Sequence, residues 1–301
     1  MSSVIILGGS AGEHIAIELA KLLNVELGSL EIRKFPDNET YIRILSDVSG
    51  KKVIYVNSLQ RKPNELIIET LYTLDTIRDL GAEEVHAVIP YMAYARQDER
   101  FNPGEAISIL SLAKLFKALD IDGIYTVDMH LHRITDPTKI FGAKFYNLTG
   151  VRELAKYIKR YHSIENTVVI GPDEEAEQWA KIMAEELGDL EFSILEKRRL
   201  SAEEVVIEAR DVEVRGKNVV IVDDIISTGG TIVEAVKALR NLGAKDIIVT
   251  TVHPILVKGA LPRLLRLCLK DLVGTNTVLS PISKVSIAPA IAPRLKEQLN
   301  L

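Results

Sequence analysis

The sequence predicts an α/β fold of two tandem units, each a mostly parallel sheet flanked by helices. Three observations carry the prediction. Short Val- and Ile-rich runs alternate with stretches of helical period, as where residues 4–7 lead into Glu13–Leu23. The runs are apolar throughout rather than alternating, which suits strands covered on both faces. The pattern also occurs twice. "TIRDLGAEEVHAVIPY" around Gly81 resembles "ALRNLGAKDIIVTTVHP" around Gly243, 162 residues on. "KKVIYVNS" from Lys51 resembles "KNVVIVDD" from Lys217, at 166, and "VIILGGSAGEHIAIELAKLL" matches "VVIGPDEEAEQWAKIMAEEL", with Glu13 opposite Glu177, at 164. Any two βαβ segments would give one such match; three in order at nearly one offset indicate duplication.

In the first copy, strands are expected at 4–7, 53–56, 85–89 and 124–127, with helices at 13–23 and 65–79. In the second, short buried strands at 168–170, 219–222 and 247–252 are separated by helical spans. The copies should divide within 144–151, giving domains 1–146 and 147–301. A chain of 301 residues can supply each with its own core. Hydrophobic residues at 47% and charged residues at 26% describe a well-packed globular protein. A net charge of -5 offers no nucleic-acid footprint and no polybasic membrane surface. The single cysteine, Cys268, excludes an intramolecular disulfide and fits a reducing cytoplasm. The opening residues lack the basic start of a signal peptide, and no apolar run approaches the roughly 18 residues of a membrane span. A cytoplasmic protein is expected.

Chemistry concentrates in "VVIVDDIISTGGT", residues 219–231. A buried strand runs into Asp223 and Asp224, then into Ser227, Thr228, Gly229, Gly230 and Thr231 ahead of a helix starting near Ile232. The first copy has Asn57 and Ser58 where the second has the aspartates, so the fold does not demand them. Ligands of open α/β sheets bind beyond the carboxyl ends of strands. Vicinal carboxylates there can accept hydrogen bonds from a sugar diol or hold hydrated Mg²⁺. The glycines, hydroxyls and helix N-terminus make a phosphate cradle. It is not a Walker loop, because no Gly-Lys-Ser/Thr closes it. The incomplete glycine pattern of "GGSAG", residues 8–12, reads as a helix-entry turn rather than a nucleotide site.

"VVIVDDIISTGGT" resembles the signature loop of type I phosphoribosyltransferases, and the duplicated chain resembles the ribose-phosphate pyrophosphokinase family. Six further motifs agree in order: "FPDNE" (35–39), "YARQDER" (94–100), "DMH" (128–130), "GPD" (171–173), "EKRR" (196–199) and "TNTV" (275–278). The resemblance implies two phosphoribosyltransferase-like domains, the first with a degenerate ribose-phosphate loop. It implies transfer of the pyrophosphoryl group of Mg-ATP to the C1 hydroxyl of ribose 5-phosphate, giving PRPP and AMP. Lys197 and Arg199 match a mobile basic loop that closes on the triphosphate. Asp223 and Asp224 match contacts to the ribose hydroxyls, and Ser227 to Thr231 the 5-phosphate loop, with Arg199 also counted toward ribose 5-phosphate. His130 and Asp173 match Mg²⁺-ATP contacts, and Arg96 and Gln97 match adenine-nucleotide contacts. Phe35, Asp37, Asn38 and Glu39 match contacts from a neighbouring subunit, so the family implies a homo-oligomer with a dimer as minimum unit, compatible with a tetramer or hexamer. Neither nucleic acid nor membrane is expected as a partner.

Each motif also has a plainer reading. "EKRRLSAEEV" alone reads as a solvated charged loop with Ser201 capping a following helix, and "FPDNE" as a Pro-Asp turn closing a hairpin. A lone His130 at a strand end is more often structural. Three departures from the family stand out. Asn38 replaces a usual Gly but tolerates a left-handed backbone. Ser227 replaces an Asp common in bacterial members. Glu174 and Glu175 replace small residues and would repel polyphosphate unless turned outward or bridged by Mg²⁺. The rivals are a purine or pyrimidine phosphoribosyltransferase, which needs neither duplication nor "YARQD", and a non-catalytic regulatory homologue.

Overall fold

The computed structural model describes residues 3–131, 134, 136–199, 205–209 and 212–301, with backbone alone for 197–199 and 205–208. The chain forms two compact units, Met1–Thr149 with Ile287–Leu301, and Gly150–Ser286.

In the first unit the order is β1 (Val4–Gly8), α1 (Glu13–Leu23), β2 (Glu26–Leu27), β3 (Leu30–Lys34), β4 (Thr40–Ile44), β5 (Lys52–Val56), α2 (Pro63–Asp79), β6 (Glu84–Ile89), α3 (Ser108–Lys117), β7 (Gly123–Val127), α4 (Pro137–Phe141) and β8 (Lys144–Leu148). A parallel sheet forms in the order β2-β1-β5-β6-β7-β8, while β3 and β4 pair separately as an antiparallel hairpin. Its central strands are apolar along their whole length because helices cover both faces: Ile5, Ile6, Leu7, Val53, Ile54 and Val85 are fully buried.

The second unit contains α5 (Val151–Tyr161), β9 (Thr167–Gly171), α6 (Glu177–Gly188), β10 (Phe192–Arg199), β11 (Val205–Ala209), β12 (Asn218–Ile226), α7 (Gly230–Asn241), β13 (Ile247–Pro254), α8 (Ala260–Leu265), β14 (Asp271–Thr275) and β15 (Ser283–Val285). Its sheet runs β11-β10-β9-β12-β13-β14-β15, parallel except for the β10–β11 pair. Apart from β11, this is the strand order of the first sheet.

The duplication is visible bond by bond. Gly50 N–H donates to the Gly81 carbonyl at 2.8 Å, and Gly216 N–H donates to that of Gly243 at 2.8 Å. Glu83 N–H donates to Lys51 at 2.8 Å, as Lys245 does to Lys217 at 2.8 Å. These pairs repeat the sequence offsets of 166 and 162. Both Gly81 and Gly243 hold a left-handed φ, +83° and +89°, at the turn into the next strand.

Three expectations need correction. The sequence divided the chain into 1–146 and 147–301, but α9 (Ala288–Leu299) belongs to the first unit. This helix, with its buried stripe Ala288, Ile291, Ala292, Leu295 and Leu299, packs against α1. Strand β12 continues past Val222 to Ile226, with Asp223 opposite Thr251, so the aspartates stand on the strand itself. After the basic run, Val205–Ala209 is a strand and not a helix, because its β-branched residues pair antiparallel with 195–199. Ser201 lies outside the described residues.

Candidate active site

In the second unit the site grows from the carboxyl ends of β9 and β12. Asp224 is buried, and its carbonyl accepts the Thr251 hydroxyl at 3.1 Å. Asp223 is half-buried. Burial pushes its carboxyl well above the ordinary carboxylate range, and the charges of Asp224 and Asp173 push it further. Asp173 is raised for the same reason, first by burial and then by Glu175. Three carboxylates, two on β12 and one just beyond the end of adjacent β9, thus share one field, an arrangement that favours a proton, a diol or a cation among them.

Beyond β12 the chain turns sharply. The carbonyls of Ile226 and Ser227 accept N–H groups of Leu256 and Val257, each at 3.0 Å, and Arg263 donates to the Thr228 carbonyl at 2.7 Å. With those carbonyls engaged, the turn is left with hydroxyls and N–H donors. Gly229 has φ +76°, so only glycine enters the helix there without strain, and no side chain caps α7 among the described residues. Pro172, Asp173, Glu174, Glu175, Leu195, Glu196, Thr231, Glu234 and Ala235 line one cleft of about 460 Å³. Glu174 and Glu175 are exposed at its margin. The cleft therefore brings Asp173 and Thr231 together, one residue from Lys197. Lys197 and Arg199 lie on β10, in register with Ile207 and Val205 of β11.

The remaining candidates lie in the first unit. Phe35, Asp37, Asn38 and Glu39 form the tip of the β3–β4 hairpin. Phe35 N–H donates to the Glu39 carbonyl at 2.9 Å and Glu39 N–H to the Asp37 carboxylate at 3.2 Å. Asn38 takes φ +71°, the left-handed conformation its side chain tolerates. Phe35 is 39% exposed, edge-on to Tyr41, with the Arg33 guanidinium over both rings. Arg96 is exposed in the segment after β6, and Gln97 accepts the Ser108 hydroxyl at 2.6 Å. His130 follows β7, half-buried, next to Asp128 at φ +37°. The Val127 N–H bonds the Pro90 carbonyl at 3.3 Å, so the segments after β6 and β7 leave the sheet side by side.

The first unit's counterpart of the acidic strand end is closed. Asn57 is buried and accepts the Ala11 N–H at 3.0 Å, and Glu69 of α2 accepts from Ser10, Tyr55 and Asn57. A Cβ on Gly9 would lie 2.3 Å from the Tyr55 hydroxyl, and one on Gly12 2.1 Å from the Val56 carbonyl. The glycines of "GGSAG" therefore serve close packing at a helix entry. Sequence reading passed over Glu69. Its signal was a carboxylate inside the buried stripe Leu66, Ile67, Thr70, Thr73, Leu74.

Comparison with known proteins agrees with this geometry. Residues 4–119 match the model of the N-terminal domain of ribose phosphate pyrophosphokinase, and residues 144–263 that of the phosphoribosyl transferase domain. A ribose-phosphate pyrophosphokinase from Methanopyrus kandleri is 40% identical, over 96% of this chain and 97% of its own length. Ribose-phosphate pyrophosphokinase 1 of Archaeoglobus fulgidus is 38% identical, over 97% and 99%. The crystal structure of phosphoribosylpyrophosphate synthetase from Mycobacterium smegmatis superimposes with a TM-score of 0.88 at 28% identity, covering 99% of both chains. With two matched domains in tandem and relatives aligned end to end, the chain belongs to the ribose-phosphate pyrophosphokinase family of enzymes.

Proposed function

We propose that the chain transfers the pyrophosphoryl group of Mg-ATP to the C1 hydroxyl of D-ribose 5-phosphate, giving PRPP and AMP. One observation carries the reading: of two copies of one fold, the second has an acidic strand end running into a helix N-terminus beside an open cleft, where the first has Asn57 and Ser58. Asp223 and Asp224 accept the ribose hydroxyls. Ser227, Thr228, Gly229, Gly230 and Thr231 hold the 5-phosphate through hydroxyls and N–H groups. The sugar is thereby oriented with its C1 hydroxyl toward the β-phosphorus, and positioning replaces covalent catalysis. Lys197 and Arg199 balance charge on the transferring group, with Arg199 also reaching ribose 5-phosphate. Arg96 and Gln97 contact the nucleotide, the Ser108 contact leaving the Gln97 amide NH₂ as donor.

Mg²⁺ fits the donor chemistry. Among the described residues no group of three or more His, Cys, Asp or Glu side chains forms a ready metal cage. Mg²⁺ asks for none, since it keeps its water and binds through one or two carboxylates plus phosphates. Asp173 would hold it, with His130 as a contact to its hydration shell or to ATP. When bound it supplies charge neutralisation for the polyphosphate. Phe35, Asp37, Asn38 and Glu39 complete a neighbouring subunit's nucleotide site, so the unit of function is a homo-oligomer, at least a dimer. The exposed ring of Phe35 at a hairpin tip supports this. We place the protein in the cytoplasm on its single cysteine, which fits a reducing compartment. The test is product identity: ATP, Mg²⁺ and ribose 5-phosphate should yield AMP and PRPP in equal amounts, and release of ADP would overturn the reading.

A further inference from the structure

Glu69 is 5% exposed in the core of the first unit. Four donors converge on its carboxylate. The Ser10 N–H donates at 2.9 Å, the Tyr55 hydroxyl at 3.2 Å and the Asn57 amide at 3.0 Å to one oxygen, and the Ser10 hydroxyl donates at 2.6 Å to the other. The donors come from the β1–α1 turn, from β5 and from the residue just after it, the acceptor from α2. Asn57 is itself fixed, accepting from Ala11 at 3.0 Å and donating to Thr70 at 3.1 Å. A carboxylate ringed by hydroxyl, amide and backbone donors is chemically a bound anion, tethered to the chain that binds it.

The internal repeat shows what the tether replaces. At the offset of 164, Ser10 corresponds to Glu174; at 166, Tyr55 corresponds to Ile221, Asn57 to Asp223 and Glu69 to Ala235. In the second unit Glu174 and Ala235 both line the open cleft of about 460 Å³. At the position equivalent to Ala235 the first unit carries the longer side chain of Glu69, with donors at 55 and 57 where the second carries an apolar residue and a carboxylate. The exchange is concerted: an acceptor on α2 comes with donors at the end of β5.

We propose that the first unit retains an anion site in its counterpart of the cleft, occupied by the Glu69 carboxylate as an internal ligand, and that truncating Glu69 opens it to a small carboxylate anion. The donors are held by the sheet and by the close packing at Gly9 and Gly12, so they should keep their places when the carboxylate is removed. Formate is the matching probe, being the carboxylate of Glu69 without its stem.

The experiment follows thermal unfolding of the full chain, without nucleotide or sugar, in rising sodium formate against sodium chloride at equal ionic strength. Its readout is independent of catalysis, so it stands or falls apart from the proposed reaction. Glu69→Ala should melt lower than the parent in chloride and recover saturably in formate, by roughly 3–6 °C at ten times the dissociation constant. The parent and Glu69→Gln, in which the space stays filled, should show no such recovery. A folded Glu69→Ala that responds no more than the parent would overturn the proposal. Should Glu69→Ala fail to fold in chloride, refolding into formate decides: recovery there alone supports an anion site. Failure in both salts, with Glu69→Gln folded, would also overturn it.

Discussion

Replacing Asp223 by Asn should make the protein more stable and less active. Asp223 carries a charge that the fold disfavours, because burial and the neighbouring charges of Asp224 and Asp173 raise its pKa well above the ordinary carboxylate value. Between the unfolded value, about 3.9, and that raised value, the folded state keeps a proton which the unfolded chain has released. Stability therefore falls as pH rises through this window, and the loss is complete above the folded value. Asn keeps the shape and removes the charge. At pH 7.5 the gain should be about 0.5–2 kcal/mol, the usual size of such a stability–function trade, or roughly 2–6 °C for a unit of this size. The assay is calorimetry of the ligand-free full chain with chelator, wild type against Asp223→Asn, at a series of pH values down to 4.5. The variant should lead most at high pH, with the gap narrowing toward acid, while its KM for ribose 5-phosphate rises. A variant less stable than wild type at pH 7.5, or a gap that ignores pH, would refute the reasoning.

Other outcomes follow from the same geometry. Lys197→Ala and Arg199→Ala should each lower kcat on the order of 10³ in an AMP-release assay if both act on the transferring group; near-normal turnover would remove the residue from the site. Asp271 behaves oppositely to Asp223: burial works against its charge, but Lys284 at 2.6 Å and His162 at 2.9 Å outweigh it and hold its pKa below the ordinary value. That stability is present above the unfolded value and lost as pH falls through the folded one, so Asp271→Asn should cost about 1–3 kcal/mol at neutral pH, with the gap closing in strong acid. Mixing Asp37→Ala/Glu39→Ala with Lys197→Ala should restore roughly one quarter of activity after subunit exchange, since about half of random dimers carry one intact site; no gain over the parents would place "FPDNE" outside a neighbour's site.

Much of the fold was legible because its signals are local. Helix α1 has the bounds its period indicates, and the offsets of 162 and 166 reappear as paired backbone hydrogen bonds. What escaped depends on distant partners. The return of α9 to the first unit is decided by its packing against α1, nearly the whole chain away. Val205–Ala209 follows a basic run that reads as loop, and only its pairing with β10 makes it a strand. At the site, the acidic pair and glycine turn were visible as residues without a packing reason. Their contrast with the first copy was visible at Asn57, but its cause was not, because Glu69 lies twelve residues further on and meets Ser10 only in three dimensions.

The central claim is that two phosphoryl groups move together onto the sugar. ATP labelled in the β-phosphate and ATP labelled in the γ-phosphate, each given with Mg²⁺ and ribose 5-phosphate, test it most directly. Both labels should enter the same sugar product in equal yield, leaving unlabelled AMP. Label arriving from the γ-phosphate alone, with the β-label retained in ADP, would contradict the account.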